Sequence, residues 1–270
     1  MTFEPNPREF FAPQLAPARL SSLREKLQLL AECGVDQVYV CAFNARFAAL
    51  AEDEFVARIV RGLGVRHLMI GDDFRFGKGR AGDFALLQRA GAAHGFGVEA
   101  METRVLDGER VSSSAVREAL EAGDLEHAER LLGRPYCISG RVVHGEKLGR
   151  KLGYATANIQ LKRLKAPLSG VFAVTVDGIA ERALEGVASL GVRPTVNANG
   201  KPALEVYIFD YQGDLYRAHL RVNFLHKLRD EAKFDSLAAL TAQIARDVQE
   251  TRDYFISQAQ SKRERSFERA

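Results

Sequence analysis

Gly140-Arg-Val-Val-His-Gly-Glu-Lys-Leu-Gly-Arg-Lys-Leu-Gly153 runs directly into Tyr154-Ala-Thr-Ala-Asn158. Four glycines within fourteen residues let backbone amides wrap a polyanion, because no Cβ keeps the ligand away. Lys147, Arg150 and Lys151 add positive charge. No Gly-Lys-Ser/Thr follows, so this is not a Walker loop; a flexible hairpin with exposed bases would satisfy the same pattern. Thr156 and Asn158 stand two apart, and an extended chain turns both to one side. A hydroxyl and an amide oxygen are neutral ligands suited to a hydrated Mg²⁺ whose charge is balanced by phosphates. Two polar strand residues facing water are the alternative.

Downstream, short alternating runs recur at Cys137–Val143, Gly170–Val176, Leu184–Leu190, Leu204–Phe209 and Ala218–Phe224, each bounded by Gly, Pro, Asn or Asp. Evenly spaced short strands with turn residues between them predict an all-β barrel or sandwich. Glu205 is a carboxylate within the apolar run Leu204–Phe209. It faces solvent on the alternating pattern or serves as a general base in a partly dry cleft. Leu237, Leu240, Ile244 and Val248 share one face of a closing helix. The last ten residues, Ser261–Ala270, are highly charged and are expected to fray.

Upstream the texture differs. Ser21 or Ser22 caps a helix carrying Leu23, Leu27 and Leu30, which Gly34 ends. Strand patterns at Val35–Phe43, Arg66–Ile70 and Val98–Met101 alternate with helical ones at Glu52–Arg61 and after Phe84. That alternation implies a parallel sheet covered by helices. Helices follow at Ser114–Ala122, capped by Ser113 or Ser114, and at Asp124–Leu132. Gly133-Arg-Pro135 then breaks the pattern, which places the boundary between an α/β domain, 1–134, and an all-β domain, 135–260, with a charged tail, 261–270.

Composition is consistent with this. Of 270 residues, 46% are hydrophobic and 27% charged, which supports a packed core and excludes bulk disorder. A net charge of +3 is too small to argue for nucleic acid, and no apolar stretch is long enough to span a membrane. Cys33, Cys41 and Cys137 fit neither a disulfide framework nor a metal cluster; they read as reduced core thiols of a cytoplasmic protein. The six histidines lack ligand spacing and read as structural or surface residues.

Two front segments carry phosphate chemistry. Gly71-Asp-Asp-Phe-Arg-Phe-Gly77, followed by Lys78, Gly79 and Arg80, starts where a strand ends, the place where open α/β sheets bind ligands. Val111-Ser-Ser-Ser-Ala-Val-Arg117 sets hydroxyls and free amides at a helix start, with Arg117 one turn in. A basic turn and an ordinary serine cap are the plainer readings; together the loops favour a nucleotide site.

With these motifs in order, the chain resembles the bacterial bifunctional riboflavin kinase/FAD synthetase family. Thr2-Phe-Glu-Pro-Asn-Pro7, Gly71–Gly77 and Val111–Arg117 match its Rossmann-like FMN adenylyltransferase domain. Gly149-Arg150, Thr156-Ala-Asn158, Gly170-Val-Phe172, Gly191-Val-Arg-Pro-Thr195, Glu205, Asp210, Gly213-Asp-Leu-Tyr216 and Leu228-Arg-Asp-Glu231 with Phe234 match its kinase domain, a six-stranded antiparallel barrel with a C-terminal helix. The resemblance implies that Gly145, Lys147, Gly149, Arg150, Gly153, Thr156 and Asn158 bind ATP. Thr156 and Asn158 would hold Mg²⁺, and Glu205 would deprotonate the ribityl 5′-hydroxyl of riboflavin. Arg229 and Phe234 would cover the flavin. Gly71, Asp73, Phe74, Arg75, Gly77, Ser112, Ser113, Ser114 and Arg117 would hold the adenylyltransferase nucleotide. Riboflavin, FMN and ATP are the implied ligands, without nucleic acid or membrane. The motifs leave the oligomeric state open.

The departures are informative. Ala155 replaces the proline of the family's Pro-Thr-Ala-Asn, which should loosen the loop. Asn6 stands for a histidine. The family's first strand and His-x-Gly-His loop, whose histidines stabilise charge during adenylyl transfer, have no counterpart, and the chain starts inside the family's second strand. The missing strand would be central, so its loss should leave apolar edges unpaired. Riboflavin kinase activity is therefore the leading expectation. The alternatives are both activities in a longer native product, or a non-catalytic flavin- or RNA-binding module. Incubating this polypeptide with FMN, ATP and Mg²⁺ should yield little or no FAD by chromatography; family-like turnover would contradict that expectation.

Overall fold

The computed structural model describes residues 1–71, 73–145, 148–192 and 202–267. The chain divides into two compact units, Met1–Ala16 with Cys33–Arg110, and Pro17–Glu32 with Val111–Ala270.

The first unit begins with β1 (Thr2–Glu4) and α1 (Pro7–Phe11), and α2 (Leu23–Glu32) falls in the second unit. The first unit continues through β2 (Val40–Ala42), α3 (Ala45–Ala48), α4 (Glu52–Ala57), β3 (His67–Ile70), α5 (Phe84–His94), β4 (Gly97–Ala100), β5 (Val105–Leu106) and β6 (Glu109–Arg110). α4 runs on as a π turn over Arg58–Gly62. The predicted strand–helix alternation is present, but the sheet is in pieces. β1 pairs β2 in parallel, β3 pairs β4 in parallel, and no ladder joins the two pairs among the described residues. The strand predicted over Val35–Phe43 shrinks to Val40–Ala42, with Val35 and Tyr39 exposed: an apolar run without a partner ladder stays unpaired. Both pairs nevertheless rest on one core. Phe55, Val56, Ile59, Phe76 and Leu87 are buried, and Phe3, Leu68, Ile70 and Val98 pack against them.

The second unit contains α6 (Ser113–Ala122), α7 (Leu125–Leu132), β7 (Tyr136–Val143), α8 (Leu148–Lys151), β8 (Thr156–Ile159), β9 (Gly170–Asp177), β10 (Leu184–Val192), β11 (Pro202–Ile208), β12 (His219–Arg229) and α9 (Leu237–Phe267). Its six strands close a barrel in the order β10-β11-β8-β7-β12-β9, every pair antiparallel. The five predicted runs each became a strand, and Thr156–Ile159 supplies the sixth. Inward residues such as Phe172, Val174, Leu190, Leu204, Val206, Val222 and Phe224 are essentially inaccessible. Full closure leaves no edge to aggregate.

Several boundaries differ from the sequence reading. By compactness α6 and α7 group with the barrel, the units dividing after Arg110, because α7 buries Leu125, Ala128 and Leu131 and packs on β7 and β12. The cap of α6 is Ser112, whose Oγ accepts from Ala115 N at 3.1 Å, rather than Ser113 or Ser114. The helix of the tail reaches Phe267 instead of fraying from Ser261; that stretch has no Gly or Pro and mixes both charge signs. On α9, Leu237 is exposed, while the polar Asp247 and Thr251 are buried. Of the three cysteines, Cys41 and Cys137 are core thiols as expected, but Cys33, just past the end of α2, is exposed. Burial pushes the Cys41 thiol up. Among the described residues no helix is long and apolar enough to cross a membrane.

A buried polar cluster ties α2 to the barrel. Ser22 and Glu25 cap α2 reciprocally: Ser22 N donates to Glu25 Oε2 at 2.5 Å, and Glu25 N donates to Ser22 Oγ at 3.3 Å. The same carboxylate accepts from Ser139 N on β7 at 2.6 Å and from Arg163 Nη2 at 2.5 Å. Arg163 also donates to the Tyr136 hydroxyl at 2.8 Å, which in turn donates to Leu20 O at 3.0 Å. Glu25 and Arg163 are 3% and 6% exposed, so neither charge is screened by water, and burial pushes the Tyr136 hydroxyl well up from its ordinary value. Removing one partner of such a pair strands the other. Glu25→Ala should lower the unfolding free energy of the barrel transition, followed by circular dichroism in urea, by about 3–5 kcal/mol. Glu25→Leu combined with Arg163→Met should recover most of that loss.

Candidate active site

The outer wall of the barrel carries the predicted kinase residues. On β8, Ala157 and Ile159 point inward and are buried, which turns Thr156 and Asn158 outward. The ladder register sets Asn158 directly opposite Glu205 and Thr156 opposite Tyr207 on β11. Facing residues of an antiparallel pair have Cβ atoms about 4.5–5.5 Å apart, so an amide, a hydroxyl and a carboxylate meet on one face.

The glycine-rich stretch folds over these side chains. A Cβ on Gly145 would fall on the Asn158 amide, and one on Gly149 would fall on Tyr154 O and stand 3.2 Å from Thr156 Oγ1. These glycines thus leave space for the Asn158 and Thr156 side chains. α8 gives the stretch one helical turn, and Gly149 O closes it by accepting from Tyr154 N at 2.8 Å. Gly153 supplies the positive φ of 88° there. Lys147 lies outside the described residues, as do residues 193–195 of the predicted Gly191–Thr195 motif. A cavity of about 340 Å³ opens beside Thr156 and is lined by Arg150, Ala155, Tyr211, Asp214 and Tyr216. The His144 ring tilts against Tyr216 with centroids 3.9 Å apart.

Arg229 is already committed. It forms a two-pronged pair with the buried Asp247 of α9, at 2.8 and 2.7 Å, which raises its pKa, and stands 5.9 Å from the Phe234 ring. Asp247 also accepts from Gln243 at 2.8 Å. Arg252 pairs with Asp210 at 3.0 Å and lies 4.5 Å over the Phe209 ring, which fastens α9 to the end of β11; the Arg252 bond holds the Asp210 carboxyl below its ordinary range.

The first unit holds a cavity of about 1150 Å³ walled by phenylalanines, among them Phe10, Phe43, Phe47, Phe74 and Phe76, with Arg8, Arg75, Lys78 and Arg80 also lining it. Phe74 and Phe76 stack at 5.8 Å. Gly71 O receives Phe74 N at 3.1 Å, so the predicted loop makes a turn. Gly71 and Asp73 are not among the cavity's lining residues, whereas Phe74, Arg75 and Gly77 are. Arg75 reaches Asp83 at 3.3 Å, and Asp83, capping α5 with its carboxylate on Leu86 N, is held below the usual carboxylate range chiefly by that cap. Asn6 caps α1 by accepting from Arg8 N at 3.0 Å. Ser112, Ser113, Ser114 and Arg117 belong to the second unit, where Arg117 donates to Ala18 O at 2.7 Å and Ser113 O at 2.8 Å.

A family model described as riboflavin kinase matches residues 132–255, and one described as FAD synthetase matches residues 1–115. The chain is 56% identical over 247 residues to the bifunctional riboflavin kinase/FMN adenylyltransferase of Pseudomonas fluorescens, covering 91% of this chain and 79% of that protein. The protein of the same description from Escherichia coli K12 is 52% identical over 256 residues, covering 94% and 82%. This chain belongs to the bifunctional riboflavin kinase/FMN adenylyltransferase family. A solved structure titled as a macrolide-efflux protein from Streptococcus pneumoniae matches with a TM-score of 0.73 at 30% identity, over 93% of this chain and 81% of that one. The family's two parts follow the order seen here, a nucleotidyltransferase-like α/β unit and then the flavokinase barrel.

Within the kinase barrel, sequence reading missed Ser189, Tyr207 and the Arg252–Asp210 clamp. Ser189 and Tyr207 join Asn158 and Thr156 only through the register of three strands, which no local pattern discloses. The Gly145 contact gives a direct test. Gly145→Ala should push the Asn158 amide aside, lowering kcat/KM for riboflavin phosphorylation by about 10²-fold, the cost of a misplacement near 1 Å. The circular dichroism spectrum should be unchanged.

Proposed function

We propose that the outer wall of this barrel phosphorylates riboflavin at its ribityl 5′-hydroxyl, with Thr156 and Asn158 as the magnesium ligands and Glu205 as the base. The observation that carries the reading is the direct pairing of Asn158 with Glu205 across the β8–β11 ladder. The donor set suits Mg²⁺: two neutral oxygens two residues apart bind it weakly by themselves, so the ATP phosphates must supply the balancing charge. Bound there, the ion would neutralise charge on the transferring phosphoryl group. Gly145 and Gly149 leave room for those oxygens to hold their places, and Arg150, on the adjoining cavity, adds a positive charge toward the phosphates. Lys147 is assigned to the same triphosphate on sequence grounds.

Glu205 has one side-chain position from which to act, since Leu204 and Val206 on either side are buried in the barrel. Its carboxylate accepts the 5′-hydroxyl proton as the oxygen bonds to the γ-phosphorus. The bond from that phosphorus to the bridging oxygen breaks, leaving FMN and ADP. Positioning and electrostatics account for most of the catalysis in such transfers. Arg229 and Phe234 serve the flavin side, Arg229 through a geometry that Asp247 fixes.

The front unit is read as the FMN adenylyltransferase part. Its phenylalanine-walled cavity fits a flat apolar ring, and Arg8, Arg75, Lys78 and Arg80 suit phosphates. Incubation with riboflavin, ATP and Mg²⁺ should give FMN as the product. Glu205→Gln should lower its kcat by about 10²–10⁴-fold with ATP binding retained; near-normal turnover would remove Glu205 from the base role.

A further inference from the structure

We infer that Glu231, seated by Ser189 and Gly191, is a positioning residue that reads the secondary hydroxyls of the acceptor's sugar-alcohol chain. The inference rests on the kinase reading given under Proposed function. In the β10–β11 ladder Ser189 lies directly opposite Glu205. Its Oγ donates to Glu231 Oε1 at 2.8 Å. Two residues along the same face of β10, a Cβ on Gly191 would fall on the Glu231 carboxylate. The carboxylate therefore lies against bare backbone, in a seat that any larger residue would fill. From the other side, the segment bearing it is anchored by the Arg229–Asp247 pair.

The strand order gives the direction. β8, β11 and β10 are neighbours in that order, so Asn158, Glu205 and Ser189 form a row across the wall. Phosphates belong at the Asn158 end, next to the metal ligands. Glu231 lies beyond Glu205, at the opposite end of the row. A carboxylate among phosphates would repel them, whereas next to an alcohol it accepts hydrogen bonds. One bond from Ser189 leaves it further acceptor capacity. The order is thus phosphate, base, polyol, and the hydroxyls beside the reacting one fall to Glu231.

The test compares two acceptors on the full chain. One is riboflavin; the other is a flavin whose N10 chain is a plain 5-hydroxypentyl, which keeps the reacting hydroxyl and lacks the secondary ones. Glu231→Ala should raise KM for riboflavin by about 10–100-fold, the range of a hydrogen bond to a charged group, while KM for ATP and kcat/KM for the analogue stay close to wild type. Discrimination between the acceptors should collapse accordingly. Glu231→Gln should fall between the two, and Gly191→Ala, which evicts the carboxylate without removing it, should reproduce Glu231→Ala. Equal losses on both acceptors, or no loss on either, would overturn the assignment. A normally active Glu205→Gln would instead overturn the base reading, so the two failures are distinguishable.

Discussion

Closure of the barrel fixes the register of its strands, and register is what assembles this site. Each strand hides alternate residues in a core where exposure falls to zero at Phe172, Val206 and Val222. A slip of one position would turn Thr156, Asn158 and Glu205 inward and drive apolar residues out. The proposed catalytic row is therefore held by the packing of residues on the other face of the same strands. The same alternation that stabilises the fold keeps a hydroxyl, an amide and a carboxylate together on its outer side.

α9 and its polar anchors complete that wall. Val171, Val187 and Phe209 are buried with Tyr207, Leu228, Val248 and Phe255 packed around them, which covers part of the outer face beside the row. Asp247, inside that cover, gives Arg229 a fixed direction instead of a mobile one. Buried ion pairs are poor sources of net stability; the Arg163–Glu25 pair is fully buried, and the Arg229–Asp247 pair is buried on its Asp247 side.

Much of this was legible in the chain. Alternating runs and turn residues disclosed five barrel strands, and ordered motifs named the family. What stayed hidden was long-range. Ser189 is an ordinary strand serine until the ladder sets it against Glu205, and Glu231 is an exposed acid until Gly191 seats it. The glycine and proline break marked a boundary near Pro135, whereas the apolar face of α7, which packs on β7 and β12, groups that helix with the barrel. Ser112 capped α6 where three consecutive serines offered equal choices. The parallel sheet was expected whole because its strands were read singly, and a strand exists only with its partner.

The polypeptide passes between its two units three times, at 16/17, 32/33 and 110/111. α2 falls inside the stretch that matches the FAD synthetase model, yet it is bolted to the flavokinase barrel through Glu25. No single scission therefore separates the two enzymes. A kinase fragment begun after residue 110 would lose the carboxylate that neutralises Arg163, and a front fragment ended there would carry a helix stripped of its seat. Gene fusions or dissections in this family should respect that interleaving, with the short segment 17–32 travelling with the barrel it completes.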